Sequence, residues 1–356
     1  MLQKNFLMIS NIEQTDKPFI IPEFIPHSGC PHQCAFCNQS IITNQKPKLP
    51  DKTQIKNTIG QYLRYKGKQK KVEFAFFGGN FLGLPHKVII KLLETLKPYI
   101  IEKKIHGIRF STRPDTINPQ TIELIKAYKI SAIELGVQSM NDEVLVKSKR
   151  GHLAKDNINA INLLKNNSFK IGVQVMVGLA CDNENSLLKS TKQIVQLAPD
   201  FARIYPLIVL KDSLMEQWYK KGLYKPLSLE KSVILVKQIY QMFKNASIDV
   251  IRMGLQSSDM MEDKSLVLAG PWHPAFGHLV FSKIFYDMLC TRIDQCSDFL
   301  KAKKIILKVH PKSESRLRGD KNNNLKKLKL RYPDIDFLVD SDNSVQNKNF
   351  VGINPL

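Results

Sequence analysis

The amino-acid sequence predicts an α/β fold built on a parallel sheet. Six short runs of β-branched and apolar residues alternate with longer amphipathic stretches, and small polar clusters follow the runs where strands would end. The predicted strands are Phe19–Ile25, Val72–Phe77, Gly107–Ser111, Ala132–Gly136, Lys170–Met176 and Phe201–Pro206. The predicted helices between them are Thr53–Tyr65, Lys87–Ile101, Pro119–Tyr128, Asp156–Lys165 and Asn183–Gln196. Such units pair in parallel through right-handed crossovers, but periodicity leaves open whether they form an open sheet or a partial barrel.

The pattern changes after Pro206. The elements predicted there are a helix at Ser228–Asn245, a strand at Asp249–Met253, a helix ending near Cys290, and strands at Ile305–Val309 and Ile335–Val339 around a basic loop and helix. We therefore expect an N-terminal extension (residues 1–17), a core with its own C-terminal extension (18–290) and a small, basic α/β appendage (291–356).

The net charge of the 356-residue chain is +21, from 53 lysines and arginines against 32 acidic residues. Such an excess favours polyanionic partners, above all nucleic acid. A genome rich in A and T is the alternative explanation, because only ten of the 53 basic residues are arginine. The densest basic runs are Lys66–Lys71, Lys301–Lys304 and Lys312–Arg331, and none is interleaved with aromatic residues as in a base-stacking surface.

The distribution of apolar residues predicts a cytoplasmic protein with no membrane partner. No apolar run approaches the roughly 20 residues that a membrane-spanning helix needs. The first residues also lack the sustained apolar region and the small-residue cleavage site of a secretory leader.

Half of the six cysteines lie within eight residues, as a CxxxCxxC motif of Cys30, Cys34 and Cys37 directly after the first predicted strand. Thiolates bind soft metals and iron–sulfur clusters. Three cysteines on a cubane cluster leave one iron without a protein ligand, and an open position is typical of catalytic rather than structural sites. On spacing alone, a structural zinc with His32 or a distant cysteine as fourth ligand remains open. A disulfide framework is not expected in a long chain without a leader.

Small and polar residues also follow the other predicted strands. These clusters are Gly78–Phe81, Ser111–Asp115, Gly136–Ser139, Met176–Leu179 and Tyr205–Pro206. Active sites of parallel βα folds lie at the carboxyl ends of the strands. One such cluster is a common turn, but five of them together with the cysteine motif predict a single site at this edge.

The cysteine spacing is the signature of radical S-adenosylmethionine (SAM) enzymes, and the chain resembles the Elongator-type members of that superfamily, in a short bacterial branch. The motifs that carry the resemblance are IPEFIPHSGCPHQCAFCNQ, FFGGNFLGL, IRFSTRPD, IELGVQSMNDEVL, KRGH, QVMVGL, RIYPLIVLK, IRMGLQ and AGPWHPAFG, over roughly residues 18–285. The resemblance implies a partial (β/α)6 barrel. It also implies two cofactors, a [4Fe–4S] cluster and SAM bound through its amino and carboxylate groups to the free iron.

The resemblance implies roles for individual residues. Cys30, Cys34 and Cys37 would ligate three irons, and Phe36 would flank the adenine of SAM. Gly78 and Gly79 match the motif whose backbone meets the SAM amino group, because glycine permits close approach. The other implied cofactor contacts are Asn80, Ser111, Arg113, Gln138, Arg150 and Gln174.

Several of these positions need comment. Gln138 and Arg150 match ribose and carboxylate ligands of the related oxygen-independent coproporphyrinogen oxidases, although Arg150 could instead pair with Glu134 or Asp142. Gln174 stands where that relative has an acidic residue, and Asn80 where the glycine motif often has Ser, Thr or Glu. The resemblance implies that Ser111 and Arg113 would contact either the cofactor or the substrate, without fixing a role for either residue.

The resemblance implies that the cluster, once reduced, cleaves SAM to a 5′-deoxyadenosyl radical that takes a hydrogen atom from the substrate. Elongator-type relatives modify the wobble uridine of tRNA with a group from acetyl-CoA, using an acetyltransferase domain of well over ~100 residues. About 70 residues follow the matched region here, without a phosphate-binding glycine loop, so the sequence does not support use of acetyl-CoA.

We therefore expect a radical SAM enzyme acting on RNA, specifically tRNA, with an electron donor such as flavodoxin or ferredoxin. Two alternatives remain open at this point. One is a radical SAM enzyme that acts on a small molecule. The other is a non-enzymatic RNA-binding protein that carries zinc or a cluster.

Overall fold

The computed structural model describes residues 6–8, 17–44, 48–255, 263, 265–345 and 350–355. The chain forms two compact units. The larger unit comprises Gln14–Ser232 and Ile239–Pro274, and the smaller comprises Met1–Glu13, Val233–Gln238 and Ala275–Leu356. The domain boundaries expected from the sequence, at residues 17 and 290, stay a prediction.

The described strands are β1 (Phe6–Met8), β2 (Phe19–Phe24), β3 (Val72–Phe77), β4 (Gly107–Thr112), β5 (Ile130–Gln138), β6 (Ile171–Val177), β7 (Phe201–Pro206), β8 (Val209–Leu210), β9 (Asp249–Met253), β10 (Val267–Ala269), β11 (Lys304–Val309), β12 (Asp336–Ser341) and β13 (Phe350–Pro355). In the described part of the larger unit, β2, β3, β4, β5, β6, β7 and β9 form one parallel sheet in that order. All six predicted core strands are present. The strand predicted at Asp249–Met253 adds a seventh by pairing with β7.

The sheet curls into a half-barrel. Strands β5 and β7 are separated by β6, yet Glu134 on β5 accepts a hydrogen bond of 2.6 Å from Arg203 Nε on β7. Two side chains on non-neighbouring strands meet in this way only if both project into the concave face. The α/β class and the partial barrel implied by the resemblance are confirmed, with seven strands rather than six.

The described helices are α1 (Gln39–Thr43), α2 (Lys52–Leu63), α3 (His86–Ile101), α4 (Pro119–Lys126), α5 (Asp142–Lys147), α6 (Ala154–Asn166), α7 (Glu184–Gln196), α8 (Leu214–Lys220), α9 (Leu229–Asn245), α10 (Phe276–Asp294), α11 (Ser297–Lys301), α12 (Pro311–Arg318) and α13 (Asn323–Arg331). The five predicted crossover helices are α2, α3, α4, α6 and α7. Three of them begin where Asp51, Asn118 or Asn183 accepts a hydrogen bond from a first-turn backbone N–H. None of the described helices has the length and apolar composition that crossing a bilayer requires.

The crossover helices bury apolar residues on the convex face of the sheet. Helix α2 buries Ile55 and Ile59, and α3 buries a row that includes Ile89, Leu93 and Leu96. This packing leaves the concave face of the half-barrel, and the loops at the carboxyl ends of its strands, for polar groups.

The smaller unit is an α/β fold of its own. Its described strands form a mixed sheet in the order β1, β13, β11, β12, in which β11 and β12 are parallel. Its core includes Leu289, Leu307, Leu317, Leu328 and Ile353. Strand β1 lies in the segment predicted as an N-terminal extension, and it pairs with β13.

Candidate functional site

The loop that carries the cysteine motif leaves the carboxyl end of β2 and is held by three neighbouring elements. Ile25 N donates to Phe77 O at the end of β3 (2.8 Å), so the sheet continues into the loop. Ala35, fully buried between the cysteines, donates through its N–H to Ser148 O (3.0 Å) and accepts from Met215 N (2.9 Å). The backbone between Cys34 and Cys37 is therefore fixed from both sides.

The three thiols lie close to one another in the motif loop, with Cys34 buried and Cys30 and Cys37 partly buried. Cys34 has 8% of its surface exposed, and all three cysteines are free. Burial raises the pKa of Cys30, and the neighbouring Cys34 raises it further. Burial also raises the pKa of Cys37 well above its ordinary range, and Cys34 and Cys30 add to this shift. Thiols that shift one another's pKa in this way are near neighbours, and a bound metal would deprotonate them.

The donor set fits an iron–sulfur cluster in its chemistry. It consists of three soft sulfur ligands from one loop, and the cationic Arg113 and Arg150 nearby act to lower the pKa of Cys30. Within the described chain, no three His, Cys, Asp or Glu side chains converge as the ligands of a single metal ion do. Among the other cysteines, Cys181 is exposed, and Cys290 and Cys296 belong to the smaller unit.

Arg150 lies directly against the motif. Its Nη1 donates to Cys34 Sγ (3.1 Å), its Nη2 donates to Gly136 O at β5 (2.6 Å), and the residue is only 5% exposed. Its Nε is buried with no hydrogen-bond partner among the described residues. Arg150 does not pair with Glu134 or Asp142: Glu134 binds Arg109 and Arg203, while Asp142 accepts from Ala154 N.

The two glycines after β3 are required for different reasons. Gly78 has φ +88°, a conformation that favours glycine, and a Cβ there would find its nearest atoms at 3.7 Å. A Cβ on Gly79 would lie 2.5 Å from Ile25 O and 2.6 Å from Ser28 O. Gly79 thus lets the cysteine loop pack against the end of β3, a requirement that the sequence did not reveal.

Asn80 connects the cysteine loop to the end of β4. It is fully buried, its Nδ2 donates to Gly29 O (2.9 Å), and its Oδ1 accepts from Thr112 Oγ1 (2.7 Å) and Arg113 N (3.0 Å). The structure thus assigns Asn80 a positioning contact within the protein, and the cofactor contact expected from the sequence stays a prediction.

The remaining predicted residues lie around the same end of the half-barrel. Phe36 is half-buried against an apolar cluster that includes Met176 and Leu207. Gln138 has φ +67° at the end of β5, and its Oε1 accepts from Gln174 Nε2 on β6 (3.2 Å). Ser111 lies on β4 opposite Glu134.

Arg113 is the most constrained of these residues. It forms two hydrogen bonds of 2.9 Å with Asp115, and its Nη1 lies 3.3 Å from His32 Nε2. His32 thus lies beside Arg113, within the same motif loop as the cysteines.

The structure also brings together charged and titratable groups outside the predicted site residues. His152, in the KRGH motif, is 3% exposed, and burial followed by the charge of Arg150 lowers its pKa to about 4. On the concave face, Arg109 and Arg203 both bind Glu134, and Arg109 also binds Glu73. The sequence feature that could have indicated this charge cluster is the occurrence of single charged residues within otherwise apolar strands.

A cavity of about 840 Å³ opens beside the cysteine loop. His32 and Gln33 of that loop line it together with Lys149, His152 and Lys155.

Comparisons with known proteins agree with this geometry. The radical SAM superfamily matches residues 24–194, and the radical SAM C-terminal domain matches residues 199–285. An uncharacterized protein of Methanocaldococcus jannaschii is 29% identical over 220 residues, which cover 58% of this chain and 67% of that protein. The tRNA uridine(34) acetyltransferase of Dehalococcoides mccartyi is 27% identical over 233 residues, which cover 55% of this chain and 50% of that enzyme.

A solved structure shares the fold. The archaeal Methanocaldococcus infernus Elp3 matches with a TM-score of 0.59 and 21% identity, over 75% of this chain and 62% of that one. The chain thus spans about half to two thirds of these relatives. Radical SAM enzymes use a [4Fe–4S] cluster and SAM, the two cofactors expected from the cysteine motif. The half-barrel, the three-cysteine loop and these matches together show that the chain is an enzyme of the radical SAM superfamily, with its similarity to the Elongator-type members.

Proposed function

We propose that this radical SAM enzyme modifies RNA, with tRNA as its substrate. The net charge of +21 favours a polyanionic partner, and the D. mccartyi relative acts on uridine 34 of tRNA. Because the match covers 50% of that enzyme, the proposal includes the radical chemistry and leaves out acetyl transfer.

The observation that carries the proposal is the loop in which Cys30, Cys34 and Cys37 lie together, with Arg150 donating to Cys34 Sγ. These thiolates would hold three irons and leave the fourth for SAM. When bound and reduced, the two cofactors supply a 5′-deoxyadenosyl radical that takes a hydrogen atom from the substrate. The protein's part is to orient SAM and to keep water away.

Arg150 has two tasks in this proposal. Its hydrogen bond to the Cys34 sulfur tunes the cluster, because bonds to ligand sulfurs set iron–sulfur potentials. Its Nε is buried without a partner among the described residues, and the carboxylate of SAM is the acceptor that a guanidinium binds well.

The other contacts follow from the positions around the carboxyl end of the half-barrel. Gln138 and Gln174 form an amide pair suited to ribose hydroxyls, and Phe36 offers a half-buried ring to adenine. Gly78 and Gly79 present backbone to the SAM amino group. Ser111 and Arg113 complete the proposed cofactor and substrate contacts.

An acidic one-electron carrier such as flavodoxin or ferredoxin is the proposed reductant. Supporting this, the cavity beside the cysteine loop has Lys149 and Lys155 in its wall, and opposite charges speed the encounter of redox partners.

The test is anaerobic reconstitution with iron and sulfide, followed by reduction and quantification of 5′-deoxyadenosine with and without bulk tRNA. Formation that rises with tRNA is expected. Formation indifferent to tRNA would redirect the search to small-molecule substrates. A colourless, zinc-loaded protein, or a loaded cluster that never cleaves SAM, would contradict the enzymatic part.

Two cysteine variants form a matched pair for this test. Cys34→Ala should lose iron and 5′-deoxyadenosine formation, whereas Cys181→Ala removes an exposed thiol outside the motif and should lose neither. Equal iron content in the two variants would contradict the role given to Cys34.

A further inference from the structure

Helix α2 and the loop after it carry a row of cations without acidic partners. Lys52, Lys56, Gly60 and the C-cap residue Arg64 lie at positions i, i+4, i+8 and i+12, so they form one row that turns by about 120° around the helix from Lys52 to Arg64. All four residues are exposed, and the three cations form no ion pair with a described residue. No acidic residue occurs from Lys52 to Lys71. The basic stripe comprises Lys52, Lys56, Arg64, Lys66, Lys68, Lys70 and Lys71.

The stripe is unfavourable for the isolated helix. Like charges four residues apart repel, and Lys52 in the first turn opposes the helix dipole. Gly60 costs about 1 kcal/mol relative to alanine in a helix interior. Packing does not require this glycine, since a Cβ there would meet nothing within 4 Å. An anion bound along this face would offset the repulsion.

A lysine-rich composition alone does not account for the stripe. Some surface lysines of the larger unit pair with an acidic residue on the same helix, such as Lys97 with Glu94 on α3, and others, such as Lys165 on α6, form no ion pair with a described residue. The stripe differs in its length without any acidic residue. Over Lys52–Lys71 seven cations stand without one acid.

The stripe starts at the end of the half-barrel where the cysteine loop lies. Helix α2 packs through Gln54 and Thr58 on Glu23 of β2, and β2 is an edge strand of the sheet. As the crossover between two parallel strands, α2 begins near their carboxyl ends and runs towards their amino ends. Its 12 residues span about 18 Å. The cations therefore follow the lateral edge of the half-barrel, away from the site.

We infer that the basic stripe binds the phosphate backbone of a folded RNA while a nucleotide of the same RNA occupies the half-barrel. This inference rests on the proposed function and extends it to a second contact, about one helix length from the chemistry. Tyr65, 75% exposed beside Arg64, adds an aromatic surface for a sugar or base. A single nucleotide is too short to reach both places.

Substitutions at Gly60 test this inference without weakening the helix. Gly60→Lys and Gly60→Glu both introduce better helix formers of similar length, so neither should destabilise α2. We expect Gly60→Lys to bind tRNA several-fold more tightly and Gly60→Glu several-fold more weakly at 0.1 M salt. Affinity is measured by fluorescence anisotropy over a salt series. Shifts in the same direction for the two variants would overturn the inference.

The second measurement compares the salt dependence of tRNA binding in two triple variants, each of which removes three positive charges. Lys52→Gln/Lys56→Gln/Arg64→Gln should lower the slope of log affinity against log salt by about 2 to 3, since each phosphate contact contributes about 0.7 to 0.9. The control, Lys165→Gln/Lys189→Gln/Lys192→Gln, removes three exposed charges from α6 and α7 and should leave the slope nearly unchanged. Equal effects in the two triple variants would contradict a specific stripe.

The outcomes separate this inference from the proposed function. Absence of tRNA binding by the unaltered protein would overturn both. Binding that the stripe variants retain in full would overturn this inference alone. This inference alone is also overturned if the stripe variants bind tRNA normally but accept electrons more slowly from flavodoxin. That result would mean that the stripe binds an acidic protein instead of RNA. Formation of 5′-deoxyadenosine with dithionite and no RNA should stay unchanged in the stripe variants.

Discussion

Removal of the Glu134 carboxylate should destabilise the half-barrel strongly. Glu134 is 6% exposed and accepts hydrogen bonds from Arg109 Nη1 (2.9 Å), Arg203 Nε (2.6 Å) and Arg203 Nη2 (3.1 Å). In Glu134→Ala, Arg109 keeps its two bonds to Glu73, but the only hydrogen bond that Arg203 keeps with a described side chain is the 3.4 Å one to the Tyr205 hydroxyl, beside its contact with the Phe77 ring. Breaking one partner of a buried ion pair costs about 3–5 kcal/mol.

We therefore expect Glu134→Ala to lower the free energy of unfolding by about 4 kcal/mol, the middle of that range, in urea titrations of the metal-free protein. The matched control is Glu94→Ala, which removes an exposed carboxylate 3.4 Å from Lys97 and should cost about 0–1 kcal/mol. Adding Arg203→Met to Glu134→Ala should restore part of the loss, because the stranded charge is then absent. A loss no larger than that of Glu94→Ala would refute the reasoning.

Three further predictions concern the site. Gly79→Ala places a Cβ 2.5 Å from Ile25 O, so the cysteine loop must shift, and iron bound per chain after reconstitution should fall well below that of the unaltered protein. Asn80→Ala leaves the buried Thr112 hydroxyl and the N–H of Arg113 without their Asn80 acceptor and should cost about 2–6 kcal/mol in urea unfolding, at about 1–3 kcal/mol for each of the two groups. The pKa of His152 is about 4 when folded against 6.5 unfolded, so the unfolded state binds more protons between these values. Its contribution to stability is full above pH 6.5 and falls by about 1.4 kcal/mol per pH unit as the pH drops towards 4, and His152→Asn should flatten this dependence.

Each of these three predictions has an outcome that would contradict it. Full iron loading of Gly79→Ala would show that the loop accommodates a methyl group. An Asn80→Ala protein as stable as the unaltered one would mean that other groups accept the hydrogen bonds of the Thr112 hydroxyl and the Arg113 N–H. A His152→Asn variant with the same pH dependence as the unaltered protein would assign the titration to another group.

Local patterns in the sequence predicted the strands, the crossover helices and the cluster of site residues at one edge. Parallel βα units repeat a simple alternation of apolar and amphipathic runs, so strands and helices can be told apart without tertiary information. The short helices α5 and α8, of six and seven residues, were not predicted because they are too short to show a helical period. The cysteine motif could be recognised in the sequence because its three ligands lie within one loop.

The contacts among side chains distant in the chain were decided only by the tertiary structure. Arg150 is 116 residues from Cys34, and the sequence allowed it to pair equally well with Glu134 or Asp142. Folding places Glu134 between Arg109 and Arg203 on the concave face, and so leaves Arg150 to the cysteine sulfur. Likewise, the family resemblance implied a cofactor contact for Gly79, while the packing of two backbones shows why no larger residue fits there. The sequence by itself determined the order of the βα units and the chemistry of the three-thiol loop, because both are local. Burial, charge pairing and steric fit depend on which strands become neighbours, and only the folded half-barrel decides that.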